Sequence, residues 1–193
     1  MGKQSQLKLE RLLVKAEELF VSRGYINVTI DEIALAAGIS KVTLYKHFNS
    51  KADLFIHTMK TITAKHYDVL ESQLTNIKGS VEKLNFLFKY SLEAYEKYPL
   101  TFYKDMMETP FIWEKIYSYR KERAVKICKS ILKEGISSNE IRNVNIDHTV
   151  SLLLCLGESL PKVFPFDDYE ESKLFMKSYY DFVKNALIKN KIN

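Results

Sequence analysis

Apolar residues recur every three to four positions along almost the whole chain, the spacing of one face of an α-helix. Leu9, Leu12, Leu13, Ala16, Leu19 and Phe20 predict a first helix closed by Gly24. Thr29 followed by Glu32 reads as a capping box for a short helix bearing Ile33, Ala34 and Ala37 and ending at Gly38. Ser40 opens a third, too brief to stand without packing, through Tyr45, Lys46 and His47. Ser50 starts a long fourth through Leu54, Phe55, Met59, Ile62 and Leu70, and helices are expected near 81–97, 99–108, 110–134, 146–164 and 169–189, with Gly135 as a stop. The expectation is an all-α chain of about nine helices. Its domains are residues 1–50 and 51–193, joined through a long helix and not a flexible tether.

Composition supports this reading. Among 193 residues only 6 are Gly and 4 Pro, too few turn formers for a sandwich or barrel, while 46% hydrophobic content excludes bulk disorder. Charged residues interrupt the first twenty positions, so no signal peptide is expected, and no apolar run approaches a membrane span. A cytoplasmic chain without membrane attachment follows, with Cys128 and Cys155 as small buried apolar residues in helical patterns. The net charge is +5, densest toward the N-terminus: residues 1–60 hold nine basic and six acidic side chains. That surplus hints at an anionic partner but needs a motif to give it meaning.

The spacing of Ala34, Gly38 and Leu44 supplies one. Ala34 is small where two helices cross, Gly38 permits the turn, and Ile33, Ile39 and Leu44 fill the space between, the arithmetic of a helix-turn-helix. Lys41, Val42, Thr43, Tyr45, Lys46 and His47 then project outward, where hydroxyls, a ring and cations suit phosphates and base edges. With its flanks Leu19-Phe20, Arg23-Gly24-Tyr25, Thr29 to Ala34, Thr43 to Phe48 and Ser50 to Leu54, the segment from residue 7 to about 60 resembles the DNA-binding domain of tetracycline-repressor (TetR/AcrR) regulators. Beyond residue 60 the likeness rests on length and helicity.

The resemblance implies an N-terminal three-helix DNA-binding domain joined by a long helix to a C-terminal helical ligand-binding and dimerisation domain. It implies that Thr29 and Lys51 hold DNA phosphates at helix N-termini, that Tyr45 and His47 touch the backbone, that Lys41, Val42 and Thr43 read bases, with Lys46 able to reach a guanine edge, and that Ser40 belongs to the same DNA-binding set. Capping accounts equally for Thr29, Ser40 and Ser50, and core packing is the alternative for Tyr45.

One module touches too few base pairs for useful specificity, so pairing of two chains is expected. Leu153, Leu156, Leu160, Phe175, Tyr179, Phe182 and Val183 form stripes wider than one neighbour covers, a candidate dimer face, with an intrachain core as the alternative. Phe86, Tyr90, Phe102, Tyr103, Met106, Trp113 and Tyr117 are candidates to line a site for a small apolar or aromatic ligand, or simply to pack. Glu108 and Glu158 could balance a cationic ligand, and the basic run from Lys115 to Lys133 reads as a solvated surface. His57, His66 and His148 lack partners at ligand spacing, and no nucleophile elbow, phosphate loop or metal signature occurs. No enzyme activity, metal or cofactor is expected. The reading is a ligand-responsive dimeric DNA-binding regulator, a repressor released by its ligand; the alternative is a helical small-molecule binder or enzyme with an idle helix-turn-helix.

Overall fold

The computed structural model describes residues 3–159, 162–165 and 167–189, which form nine α-helices and no strand. They are α1 (Lys3–Arg23), α2 (Ile30–Ala37), α3 (Lys41–Tyr45), α4 (Lys51–Leu74), α5 (Ser80–Glu96), α6 (Leu100–Glu108), α7 (Pro110–Ser137), α8 (Ile146–Ser159) and α9 (Tyr169–Leu187). Local chemistry marks their ends. At α2 the Thr29 hydroxyl accepts from the Glu32 N–H at 3.2 Å while the Glu32 carboxylate accepts from the Thr29 N–H at 2.8 Å. Ser50 caps α4 through the Asp53 N–H at 3.0 Å, and Asp168 caps α9 through Glu170 and Glu171. Each such cap contributes about 1 kcal/mol. Gly24 and Gly38 close α1 and α2 at φ +79° and +63°, a backbone that other residues adopt only with strain.

The chain packs as two compact units. The first holds the segment up to Ala64 together with Tyr98–Ile116; the second holds Lys65–Lys97 and the chain from Tyr117 onward. The units do not follow chain order: α6 and the first turns of α7 pack with the helix-turn-helix. The physical reason is burial, since Phe102, Met106, Ile112 and Ile116 complete a core with Leu12, Phe20, Ile33, Leu44, Leu54 and Phe55. Phe20 meets Phe55 edge to face with centroids 4.9 Å apart.

The second unit is organised around Leu84, Ile131, Leu132, Ile141, Val150, Val183 and Leu187, with a smaller cluster of Tyr67, Leu70 and Leu74. Helix α7 does not stop at Gly135. The glycine is there because a Cβ would collide with the Ser80 hydroxyl and with Ile141, so its role is close approach. The Glu140 carboxylate accepts the Ser80 N–H at 2.6 Å, capping α5 from 60 residues away in sequence.

Candidate nucleic-acid interface

Leu44 is fully buried against α2 and α4, and this fixes which way α3 faces. Its neighbours turn out to solvent: Val42 is 68% exposed and Tyr45 45%, with Lys41 and Lys46 exposed beside them. Core packing of Tyr45 is thus excluded by the position Leu44 occupies. Arg11 secures the turn from α1, its guanidinium donating to the Gly38 carbonyl at 3.3 Å.

Several of the expected side chains already have partners. Ser40 caps α3 through the Thr43 N–H at 3.1 Å and shares a 2.8 Å hydrogen bond with the Thr43 hydroxyl, so these two hydroxyls act as one polar unit. The Thr29 hydroxyl donates to Glu32 at 2.7 Å, and Glu32, also bonded to Arg23 at 2.8 Å, is held down to about 2 chiefly by those Thr29 contacts. Lys41 pairs with Asp31 of α2 at 2.9 Å, which raises its pKa. Exposed pairs of this kind are weak, so a phosphate or guanine contact would replace this one at little cost. His47 is half-buried at the end of α3, and Phe48 behind it packs on the His57 ring at 5.3 Å.

Lys51 does something the sequence reading did not foresee. Its ammonium donates to the carbonyls of Tyr25 at 2.8 Å and Val28 at 2.9 Å, with Ile26 at 3.4 Å, and sits 4.3 Å from the Tyr25 ring centroid. Burial lowers its pKa. The carbonyls between α1 and α2 lack helical partners, and the ammonium satisfies them, so its donors are directed into the protein and not toward a phosphate. The expected phosphate contact would require Lys51 to exchange these bonds.

Asp105 was missed altogether. This buried carboxylate of α6 accepts the Ile26 N–H at 2.8 Å, and its oxygen occupies the space a Cβ on Gly24 would need. The α1–α2 turn is therefore held on both sides, carbonyls by Lys51 and an N–H by Asp105. The available signal was an acid lying three residues after Phe102 and one before Met106, on the apolar face of its helix.

The other candidate sets divide. Phe102 and Met106 are buried in the first unit, with Tyr103 and Trp113 packed on the same core, whereas Phe86, Tyr90 and Tyr117 lie in the second. Phe102 and Met106 fill the core of the first unit. Of the expected dimer face, Val183 is buried within its own unit, Leu153 and Tyr179 pack against that core, and Phe175 meets Phe164 edge-on at 5.6 Å. Leu156 and Phe182 are exposed, joined by Leu152 and Leu174. Leu160 lies outside the described residues. Cys155 is exposed too, since it shares the outward stripe of α8 with Leu152 and Leu156, while Cys128 packs inward and burial raises its thiol pKa.

No helix of the described residues is long and apolar enough to cross a membrane, and no group of three or more of their His, Cys, Asp or Glu side chains could hold a metal ion.

Residues 12–58 match the pattern of bacterial regulatory proteins of the tetR family, and residues 63–189 that of the C-terminal region of QacR-like proteins. The chain is 25% identical over 185 residues to the biofilm operon icaADBC negative transcriptional regulator IcaR of Staphylococcus aureus, covering 93% of this chain and 98% of that one. It is 32% identical over 130 residues to the transcriptional activator FasR of Mycolicibacterium smegmatis, a match spanning 66% of this chain and 58% of FasR. Among solved structures, a transcriptional regulator from Cytophaga hutchinsonii superposes with a TM-score of 0.75 at 22% identity, over 94% of this chain and 99% of the other, a likeness of fold.

Proposed function

The chain belongs to the tetR family of bacterial regulatory proteins, so it is a transcriptional regulator and not an enzyme, and from that premise we propose a dimeric repressor that a small ligand releases from its operator. The observation that carries the reading is the outward face of α3. Buried Leu44 leaves Val42, Thr43, Tyr45 and Lys46 on one surface of a helix short enough to enter a major groove. Val42 offers a methyl pair to thymine, the Thr43 hydroxyl and the Lys46 ammonium offer donors, and Tyr45 reaches the backbone. Thr29, Ser40 and His47 flank that surface, and Lys41 joins it by leaving Asp31.

Repression is favoured over activation because the likeness to a negative regulator runs nearly end to end, whereas that to the activator covers little more than half of the latter. Pairing is supported by the apolar surface on α8 and α9, where Leu152 is 67% and Phe182 65% exposed alongside Leu156 and Leu174. A stripe of large apolar side chains on adjacent helices is self-complementary under a two-fold axis. The second unit, with Phe86, Tyr90 and Tyr117, is where we place an apolar or aromatic ligand; the cytoplasm is the compartment such a regulator requires.

Selection tests this. Fragmented DNA from the source genome, retained on the purified chain and sequenced, should converge on a two-fold-related sequence whose half-sites lie about one helical turn apart. Retained fragments indistinguishable from the input would contradict it.

A further inference from the structure

The caps of α2 and α3 both begin with a hydroxyl and differ in what stands three residues on. At α2 that residue is Glu32, whose carboxylate accepts from the Thr29 hydroxyl at 2.7 Å, so the hydroxyl hydrogen is taken. At α3 it is Thr43, and both members of the cap carry a hydroxyl. Ser40 Oγ accepts the Thr43 N–H at 3.1 Å and stands 2.8 Å from Thr43 Oγ1.

Each hydroxyl has one hydrogen and two lone pairs. One of the two hydrogens lies between the oxygens, and the other finds no acceptor among the described residues. The carboxylates of α2, Asp31 and Glu32, are held by Lys41 and Arg23 and take no hydrogen from this pair. Which hydroxyl keeps the second hydrogen decides what Thr43 offers. If Ser40 donates, Thr43 presents a donor, which suits the keto oxygens of guanine and thymine. If Thr43 donates, it presents lone pairs alone, which suit the amino groups of adenine and cytosine.

The first arrangement is the stronger. Ser40 Oγ already accepts an N–H, and an oxygen that accepts becomes a better donor, so the chain from the Thr43 N–H through Ser40 Oγ to Thr43 Oγ1 is cooperative. The same bond settles the rotamer. A helical threonine divides between two χ1 wells, and a partner three residues back holds it in one. Leu44 beside it is fully buried, so α3 cannot roll to offer another face.

Resting on the reading of α3 as the base-reading helix, we propose that Ser40 is a specificity-determining positioning residue that acts through Thr43. It fixes that side chain as a hydrogen-bond donor in one rotamer, so that one position in each half-site favours guanine or thymine over adenine or cytosine on the strand Thr43 faces. Ser40 need not touch the DNA to do so.

The test is anisotropy of the full chain on the fragment recovered by selection, remade with each base pair replaced in turn. The wild type should show the keto preference at one position per half-site, by about fivefold to tenfold, and Thr43→Val should erase it there and nowhere else. Ser40→Gly should erase it at the same position and Ser40→Thr keep it. Ser40→Asp, which can only accept, draws the Thr43 hydrogen inward and should turn the preference toward adenine or cytosine. Gly, Thr and Asp all serve as helix N-caps, so melting curves should stay near the wild type. In the Thr43→Val background, Ser40→Gly should change base preference no further. The proposal is overturned if Ser40→Gly leaves the Thr43-dependent position as it was, if it only weakens every position alike, or if Ser40→Asp keeps the keto preference. A specific operator at which Thr43→Val alters no position also overturns it and leaves the regulatory reading standing. Wild-type affinity equal for the fragment and a scrambled duplex removes both.

Discussion

The carboxylate of Asp105 accepts the backbone N–H of Ile26 at 2.8 Å across 79 residues of sequence. It fills the space beside Gly24, whose φ of +79° already asks for glycine. Asp105→Ala leaves the Ile26 N–H without its acceptor, at a cost of about 1 to 3 kcal/mol. Gly24→Ala adds both a collision and backbone strain. In thermal unfolding each single variant should melt lower, and the double variant should lose less than their combined effect, because the collision disappears while the strain remains. Strict additivity would mean that the two residues do not share the turn.

Lys51 and Lys46 should part company in salt titrations. Lys46 is exposed beside α3, so Lys46→Ala should reduce the slope of log affinity against log salt by about one. Lys51 spends its donors on the Tyr25 and Val28 carbonyls, so Lys51→Ala should weaken DNA binding and lower the melting temperature with the slope unchanged. A slope loss for Lys51→Ala would restore it as a phosphate ligand.

His66 makes the second unit sensitive to acid. Its pKa is about 4 in the fold against an ordinary 6.5, so on acidification the unfolded ring takes up a proton before the native one does. The stabilisation is complete above pH 6.5 and is lost as pH falls toward 4; with the ring's partial exposure allowed for, it amounts to about 1 to 2 kcal/mol. Urea titrations across that range should show the decline, and His66→Gln should flatten it.

Phe182 is exposed in the protomer, so Phe182→Glu should leave circular dichroism intact, while at a paired face it buries a carboxylate and separates the chains. Sedimentation should give monomers whose operator affinity has collapsed through loss of the linked second half-site. A folded Phe182→Glu dimer would move the interface elsewhere.

Helices and their caps were legible because they depend on neighbours: Thr29 with Glu32, Ser50 with Asp53, the repeat of Leu12, Ala16 and Phe20. The direction α3 faces was legible for the same reason, Leu44 being the one large apolar residue between Ile39 and Phe48 that the spacing turns inward, beside exposed Val42. Contacts distant in sequence were not. Nothing near Gly135 announces Ser80 and Ile141, so a glycine of close approach read as a helix end. Nothing near Lys51 announces carbonyls some 25 residues earlier. On α9 the wide stripe merged two faces with different partners: Val183 and Leu187 turn to the protomer's own core, Leu174 and Phe182 to solvent.

The most direct measurement is fluorescence anisotropy of a labelled genomic fragment recovered by selection, titrated with the chain across a salt series beside a scrambled duplex of equal length. The account requires two chains per operator, affinity for the operator about a thousandfold or more above the scrambled duplex, and a log–log salt slope of several units. It further requires that Thr43→Ala or Val42→Ala shrink the gap between the two duplexes more than it weakens binding to the scrambled one. Equal affinity for both duplexes at every salt concentration would contradict the central claim that the α3 surface reads a specific operator.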